Sequence, residues 1–281
     1  MPLDHELTPA RGVPPDPGRL IVFSDLDGTL LDHETYSHAA AAEALAGLRE
    51  TGVPLILASS KTAAEIAPLR AELGFPHCEA IVENGAGILE PHESGDEASG
   101  THDRLLSTIA GLPPELTAQF RGFSNWTDAE VSARTGLSTE QAARARKRQF
   151  SEPGLWSGSN AELDRFRELL DAEGIRAQQG GRFMTLSFDS DKALRMTEII
   201  DRYRNSRHEP FALALGDAGN DIGMLEAAAL GVIIPNSGHG GIPRLAGEAN
   251  GQIIRETLEG PAGWNNAVLQ MLQIQNRLRE S

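Results

Sequence analysis

The stretch LIVFSDLDGT at residues 20–29 decides how this chain is read. Leu20 to Ser24 is a short apolar run of the kind that forms a buried strand. The polar cluster Asp25 to Thr29 follows it directly. In parallel sheets, ligands bind outside the carboxyl ends of the strands, so this cluster stands where chemistry is expected. An extended backbone can aim Asp25 and Asp27 at one point, and Gly28 permits a tight turn. Two carboxylates held together repel, and a hard cation such as Mg²⁺ relieves that repulsion. One is then suited to act as nucleophile toward phosphorus and the other as general acid. Taken alone, the same residues read equally well as an Asp-rich turn, which DG dipeptides commonly make.

Outward from this stretch the chain alternates. Ser37–Glu50 reads as a helix ended by Gly52, VPLILASS at 53–60 as a second buried strand, Thr62–Leu73 as a helix closed by Gly74, and EAIVENG at 79–85 as a strand running into a turn. Strand–helix–strand–helix–strand predicts an α/β fold with a Rossmann-like parallel sheet covered on both faces. The texture changes near residue 90. Residues 91–103 read as a polar loop, 104–118 as a helix interrupted at Gly111 and Pro113–Pro114, and 127–156 as a region with a helix capped at Ser138 or Thr139. Residues 160–174 read as an amphipathic helix and 175–188 as a hairpin around a GG turn. The βα texture then returns, with helices at 192–204 and 220–229, strands at 211–217 and 231–236, and a last helix over 264–279 after Gly260–Pro261. The division expected is a flexible Pro-rich leader over 1–18, a core over 19–88 and 190–281, and an inserted α+β cap over 89–189.

Composition narrows the function classes. The 281 residues carry 40 Asp+Glu against 25 Lys+Arg, a formal net charge of −15. Nucleic-acid and anionic membrane surfaces are served by basic residues, so neither partner is expected. A small anionic substrate remains compatible, since local charge can oppose net charge. The single Cys78 excludes an internal disulfide and fits a reducing compartment. No apolar run is long enough to span a bilayer and Met1–Gly18 lacks a signal-peptide core, so a cytoplasmic location is expected. Oligomeric state is not legible.

Three further polar clusters stand at strand ends. In GDAGND, Asp217 ends a strand and Asp221 enters the next helix, so both can reach one octahedral cation. In ASSK at 58–61, Ser59 can donate to a phosphoryl oxygen, or Ser59 or Ser60 can cap the following helix. Lys192 is one of only three lysines, with Lys61 and Lys147. An ammonium there can balance aspartates and a transferring phosphoryl group, while a lone lysine is by default a surface residue.

These four clusters, in this order, resemble the haloacid dehalogenase superfamily of Mg²⁺-dependent phosphohydrolases. The resemblance implies Asp25 as nucleophile, Asp27 as acid/base, Ser59 and Lys192 at the second and third motifs, and a cation held by Asp25, the Asp27 carbonyl and Asp217, with Asp221 close by. The insertion between the second and third motifs is similar to the C2-type cap of the Cof-like subgroup. Within it, SKTAAE at 60–65, IVENGAGI at 81–88, RKRQFSEPGLW at 146–156 and GGRFMTLSFDSDK at 180–192 look most like the mannosyl-3-phosphoglycerate phosphatases. The chain departs from that pattern at Ala193, where a Gly is usual, and in RFMTL, where Thr185 replaces a His. The implied substrate is a phosphorylated sugar-glycerate, with the glucosyl ester or a broader sugar phosphate as alternatives.

The substrate contacts expected on this basis are Ser60, Lys61, Glu83, Asn84, Gly85, Arg144, Arg148, Glu152, Arg182 and Asn220. Guanidinium groups suit a bidentate carboxylate grip. At helical spacing Arg144 and Arg148 share a face while Arg146 points elsewhere, so a solvated face is the expected role for most of that run. Asn84 reads also as an Asn–Gly turn residue, Glu152 as a turn cap before Pro153, and Trp156 as either sugar contact or core. His33, His38, His77 and His239 lack metal-ligand spacing. A metal-binding interaction module without turnover is the non-enzymatic alternative, and Mg²⁺-dependent phosphate release separates the two.

Overall fold

The computed structural model describes residues 20–97, 99–188, 191–204, 209–238 and 240–280. The expected leader over 1–18 and His239 lie outside them. Eleven strands occur among the described residues: β1 (Leu20–Ser24), β2 (Leu55–Ala58), β3 (Ala80–Val82), β4 (Gly87–Leu89), β5 (Phe120–Gly122), β6 (Ser151–Trp156), β7 (Arg176–Gly180), β8 (Phe183–Ser187), β9 (Phe211–Gly216), β10 (Leu230–Ile233) and β11 (Ile253–Arg255). The chain divides into two compact units. One takes the residues up to Ala58, Glu72–Glu79 and everything from Lys192 on; the other takes Ser59–Ala71 and Ala80–Asp191.

The first unit is of Rossmann type. Five strands run parallel in the order β11-β10-β9-β1-β2. Every residue of β1, β2, β9 and β10 is buried, as near-continuous apolar strands in a sheet covered on both faces must be. Each Leu, Ile or Val fully buried this way contributes about 1.5–3 kcal/mol relative to exposure. Helices Ala42–Thr51, Lys192–Tyr203, Ile222–Ala227 and Gly260–Glu280 belong to this unit. The last begins at Gly260, earlier than expected. Pro261 does not delay it, because the N–H that proline lacks is unpaired in a first turn anyway.

The second unit is α+β. A four-stranded antiparallel sheet runs in the order β5-β6-β8-β7. Helices Gly100–Ala110 and Asn160–Ala172 supply Leu105, Ile109, Phe166 and Leu170 to one core with Phe120, Met184 and Leu186. Trp156 stacks on Phe166, so it is a packing residue. Phe123, Trp126, Val131, Ala142 and Ala145 form a smaller cluster. Ser138 caps helix Thr139–Ala145 by accepting from Gln141 N–H.

Three expectations are corrected. The loop expected over 91–103 ends early, because Ser99 caps a helix starting at Gly100. The strand at 80–82 is not simply one more parallel member: β4 pairs antiparallel with it across a tight turn. Strands β5 and β6, both outside the sequence reading, build one half of the second sheet, β5 at its edge and β6 inside it.

Candidate active site

The ends of β1 and β9 carry the first site. Asp25 N–H donates to Leu215 O at 2.9 Å, so the β1–β9 ladder runs on into the acidic cluster. This fixes Asp25 beside the Gly216–Asp217 end of β9. Gly216 is required there, since a Cβ on it would meet Asp221 Cβ at 2.5 Å. Asp221 Oδ2 accepts from the N–H groups of Asp217 and Ala218 at 3.2 and 3.1 Å, tying down the loop that presents Asp217.

Oxygens of Asp25, Asp217 and Asp221 all lie within 4.8 Å of one another, and the three residues are buried. Lys192 Nζ donates to Asp25 Oδ1 and to Asp221 Oδ1, both at 2.7 Å. Its side chain is only 1% exposed. Burial opposes the charged form of Lys192, but the Asp221 and Asp25 carboxylates override it and hold its pKa above the ordinary lysine value. The Asp25 carboxyl is pushed well above the usual range, chiefly by burial and next by the Asp221 charge, with Lys192 acting in the opposite sense. Three carboxylates against one ammonium leave an excess of negative charge in a dry place. An oxygen-only donor set with that excess is the chemistry of a hard divalent cation, which would also favour the ionised form of Asp25. The residues therefore fit Mg²⁺.

Around this cluster stand groups the sequence reading passed over. Thr29 Oγ1 donates to Asp217 Oδ1 at 3.0 Å and Asn236 Nδ2 to Asp217 Oδ2 at 2.6 Å. Trp264 Nε1–H donates to Ser24 Oγ, which donates to the Asp25 carbonyl. Asn236 ends the GVIIPN segment, and the strand-end rule applied there would have found it. Asp27 is partly exposed next to Gly28, and Asn220 is exposed.

The remaining candidates belong to the second unit. Ser59 is 1% exposed and its Oγ accepts from Lys61 N–H. The helix after it is capped by Thr62, which exchanges bonds with Glu65 on both sides, so neither Ser59 nor Ser60 is needed as a cap. Ser60 is exposed and Lys61 half-buried. Glu83 and Asn84 both adopt left-handed backbone, φ 53° and 59°, followed by Gly85 at 89°. Asn84 N–H donates to Ser59 O. The Glu83 carboxylate accepts from the N–H groups of Gln149 and Phe150 and from Ser151 Oγ, and pairs with Arg148 Nε at 3.2 Å.

The basic run is paired throughout. Arg144 meets Glu140, Arg146 meets Asp128, Lys147 meets Asp96 and Arg148 meets Glu83. Glu152 accepts from Ser124 N–H and Oγ, with His102 Nε2 at 2.9 Å. Arg182 is exposed at the tip of the β7–β8 turn.

Residues 22–103 match the family model of haloacid dehalogenase-like hydrolases. Among solved structures, a phosphatase of the haloalkanoate superfamily from Bacteroides thetaiotaomicron is 19% identical, with 93% of this chain and 98% of that one covered and a TM-score of 0.65. A Thermoplasma acidophilum protein is 17% identical over 91% of this chain and 98% of its own, with a TM-score of 0.59. The sucrose-phosphatase of Synechocystis, solved with sucrose and phosphate, is 17% identical over 90% and 98%, with a TM-score of 0.57. At these identities the shared feature is the fold.

Proposed function

We propose that this chain, a haloacid dehalogenase-type hydrolase by its fold and its matched segment, hydrolyses a phosphomonoester with the help of a divalent cation. The buried convergence of Asp25, Asp217 and Asp221 around Lys192 carries this reading. In it, a carboxylate oxygen of Asp25 attacks phosphorus, an aspartyl-phosphate forms, and the bond to the leaving oxygen breaks. Asp27 gives that oxygen its proton, then takes one from the water that attacks phosphorus. Inorganic phosphate leaves and Asp25 returns as a carboxylate. Lys192 holds Asp25 in position and offsets charge on the transferring group. Asp25, Asp217, Asp221 and the Asp27 carbonyl would hold Mg²⁺, which supplies charge compensation for the phosphoryl oxygens. Ser59 enters this reading through its motif position alone, as a donor to a phosphoryl oxygen.

For the substrate we propose mannosyl-3-phosphoglycerate, released as mannosylglycerate. The SKTAAE, IVENGAGI and GGRF segments support it, and the sugar-phosphate chemistry of the Synechocystis relative supports a phosphorylated sugar more broadly. Arg182, exposed at the β7–β8 turn with its guanidinium over the Phe183 ring, is the proposed contact to the glycerate end. No described helix is long and apolar enough to cross a membrane, and a cytoplasmic site of action is proposed from the lone buried Cys78. A phosphate-release screen tests the substrate. Mannosyl-3-phosphoglycerate should exceed glucosyl-3-phosphoglycerate, free 3-phosphoglycerate and hexose phosphates in kcat/KM, and equal rates on all four would reject the assignment.

A further inference from the structure

Asp217 is held differently from its two carboxylate neighbours. Asp25 and Asp221 each accept a hydrogen bond from the Lys192 ammonium. Asp217 accepts from neutral side chains on two separate segments: Thr29 after β1 on one oxygen, and Asn236 after β10 on the other. Two such bonds, one per oxygen, fix the plane of a group that has about four lone-pair sites.

The Asn236 amide is itself oriented. Its Oδ1 accepts from Gly238 N–H at 2.8 Å, which leaves Nδ2 to face Asp217. The packing around the pair is close. A Cβ on Gly28 would lie 2.1 Å from Asn236 Nδ2 and 2.7 Å from Asp217 Oδ2, and Gly28 also has left-handed backbone at φ 86°. The glycine of the first cluster thus makes room for the amide that reaches the last one.

From this geometry we infer that Asn236 is a positioning residue for the cation, acting through Asp217. A neutral donor orients the carboxylate without cancelling the negative charge that a cation needs, whereas a second lysine at this place would compete with it. Groups of this kind, which bond a ligand rather than the metal, typically change metal affinity by about 10- to 100-fold when removed. The inference rests on the divalent-cation reading of the site.

The test is direct binding of Mg²⁺ by isothermal titration calorimetry to the full chain and to Asn236→Ala, with thermal unfolding recorded alongside. The expected result is a Kd for Mg²⁺ weaker by about 10- to 100-fold in the variant, with kcat approaching the parent value once Mg²⁺ is saturating. Should Asn236→Ala not fold, Asn236→Gln, which keeps the amide but moves it by one methylene, is titrated instead and should weaken binding in the same direction. A parent that binds Mg²⁺ and a folded variant that binds it equally, whatever its unfolding temperature, would overturn the positioning role while leaving the site reading intact. A parent that binds no Mg²⁺ would overturn both.

Discussion

The acidic cluster of the first unit and the basic run of the second both concentrate charge, and they are balanced in opposite ways. At Lys192, one ammonium bonds two carboxylates of a buried cluster of three. Along 144–148, each of four cations has a carboxylate of its own. A charge with a private partner is spent on the scaffold. A buried excess of one sign is costly unless something else neutralises it, and proteins keep such arrangements where they do chemistry. Charge density in the sequence is therefore a poor guide to the site, and charge imbalance in the fold is a good one.

The comparison is most exposed to failure at Asp25. Asp25→Asn should lower turnover of a phosphomonoester by at least about 1,000-fold, the scale seen when a nucleophile is removed, measured as initial rates of phosphate release. Turnover near the parent rate would show that the excess charge does not serve as a nucleophile. Lys192→Met is next. It should cost about 100- to 1,000-fold in kcat and leave Asp25 and Asp221 facing each other without their shared cation. A loss in KM alone, with kcat kept, would assign Lys192 to ground-state binding instead.

On the other side of the comparison the effects should fall on stability. Glu83→Ala removes the partner of a nearly buried Arg148 and the acceptor for two backbone N–H groups. Breaking such a pair costs about 3–5 kcal/mol, which denaturant unfolding should register. The smallest effect is expected at Arg144→Ala. Its partner Glu140 lies one turn away on an exposed helix face, so stability should stay within about 0.5 kcal/mol. A large loss of turnover at Arg144 would instead make the basic run part of the site.

How much of this was legible beforehand follows the same divide. The first unit was readable because LIVFS, LILA and FALALG are unbroken apolar runs, each followed at once by its polar cluster. In the second unit, β6 reads SEPGLW, where Pro153 and Gly154 signal a turn. It is nonetheless an inner strand. Gly154 is there because a Cβ would meet Phe120 Cζ at 2.5 Å, a requirement that only the folded sheet reveals. The scaffold bonds of Glu83 are likewise invisible in the sequence. Its left-handed backbone, which costs about 1–3 kcal/mol in a non-glycine residue, is over-determined by the bonds its carboxylate makes to Gln149, Phe150 and Ser151. Partners 66 to 68 residues away leave no trace in local spacing. The convergence of Asp25, Asp217, Asp221 and Lys192 is legible because motif order encodes it, whereas Thr29 and Asn236 bond another side chain and have no motif role of their own.

Dependence on the cation is read from phosphate release by the purified chain from a phosphomonoester, with Mg²⁺, after chelation, and after Mg²⁺ is restored. Release should stop on chelation and return with the cation. Release that continues undiminished in excess chelator, or none from any phosphomonoester with Mg²⁺ present, would contradict it.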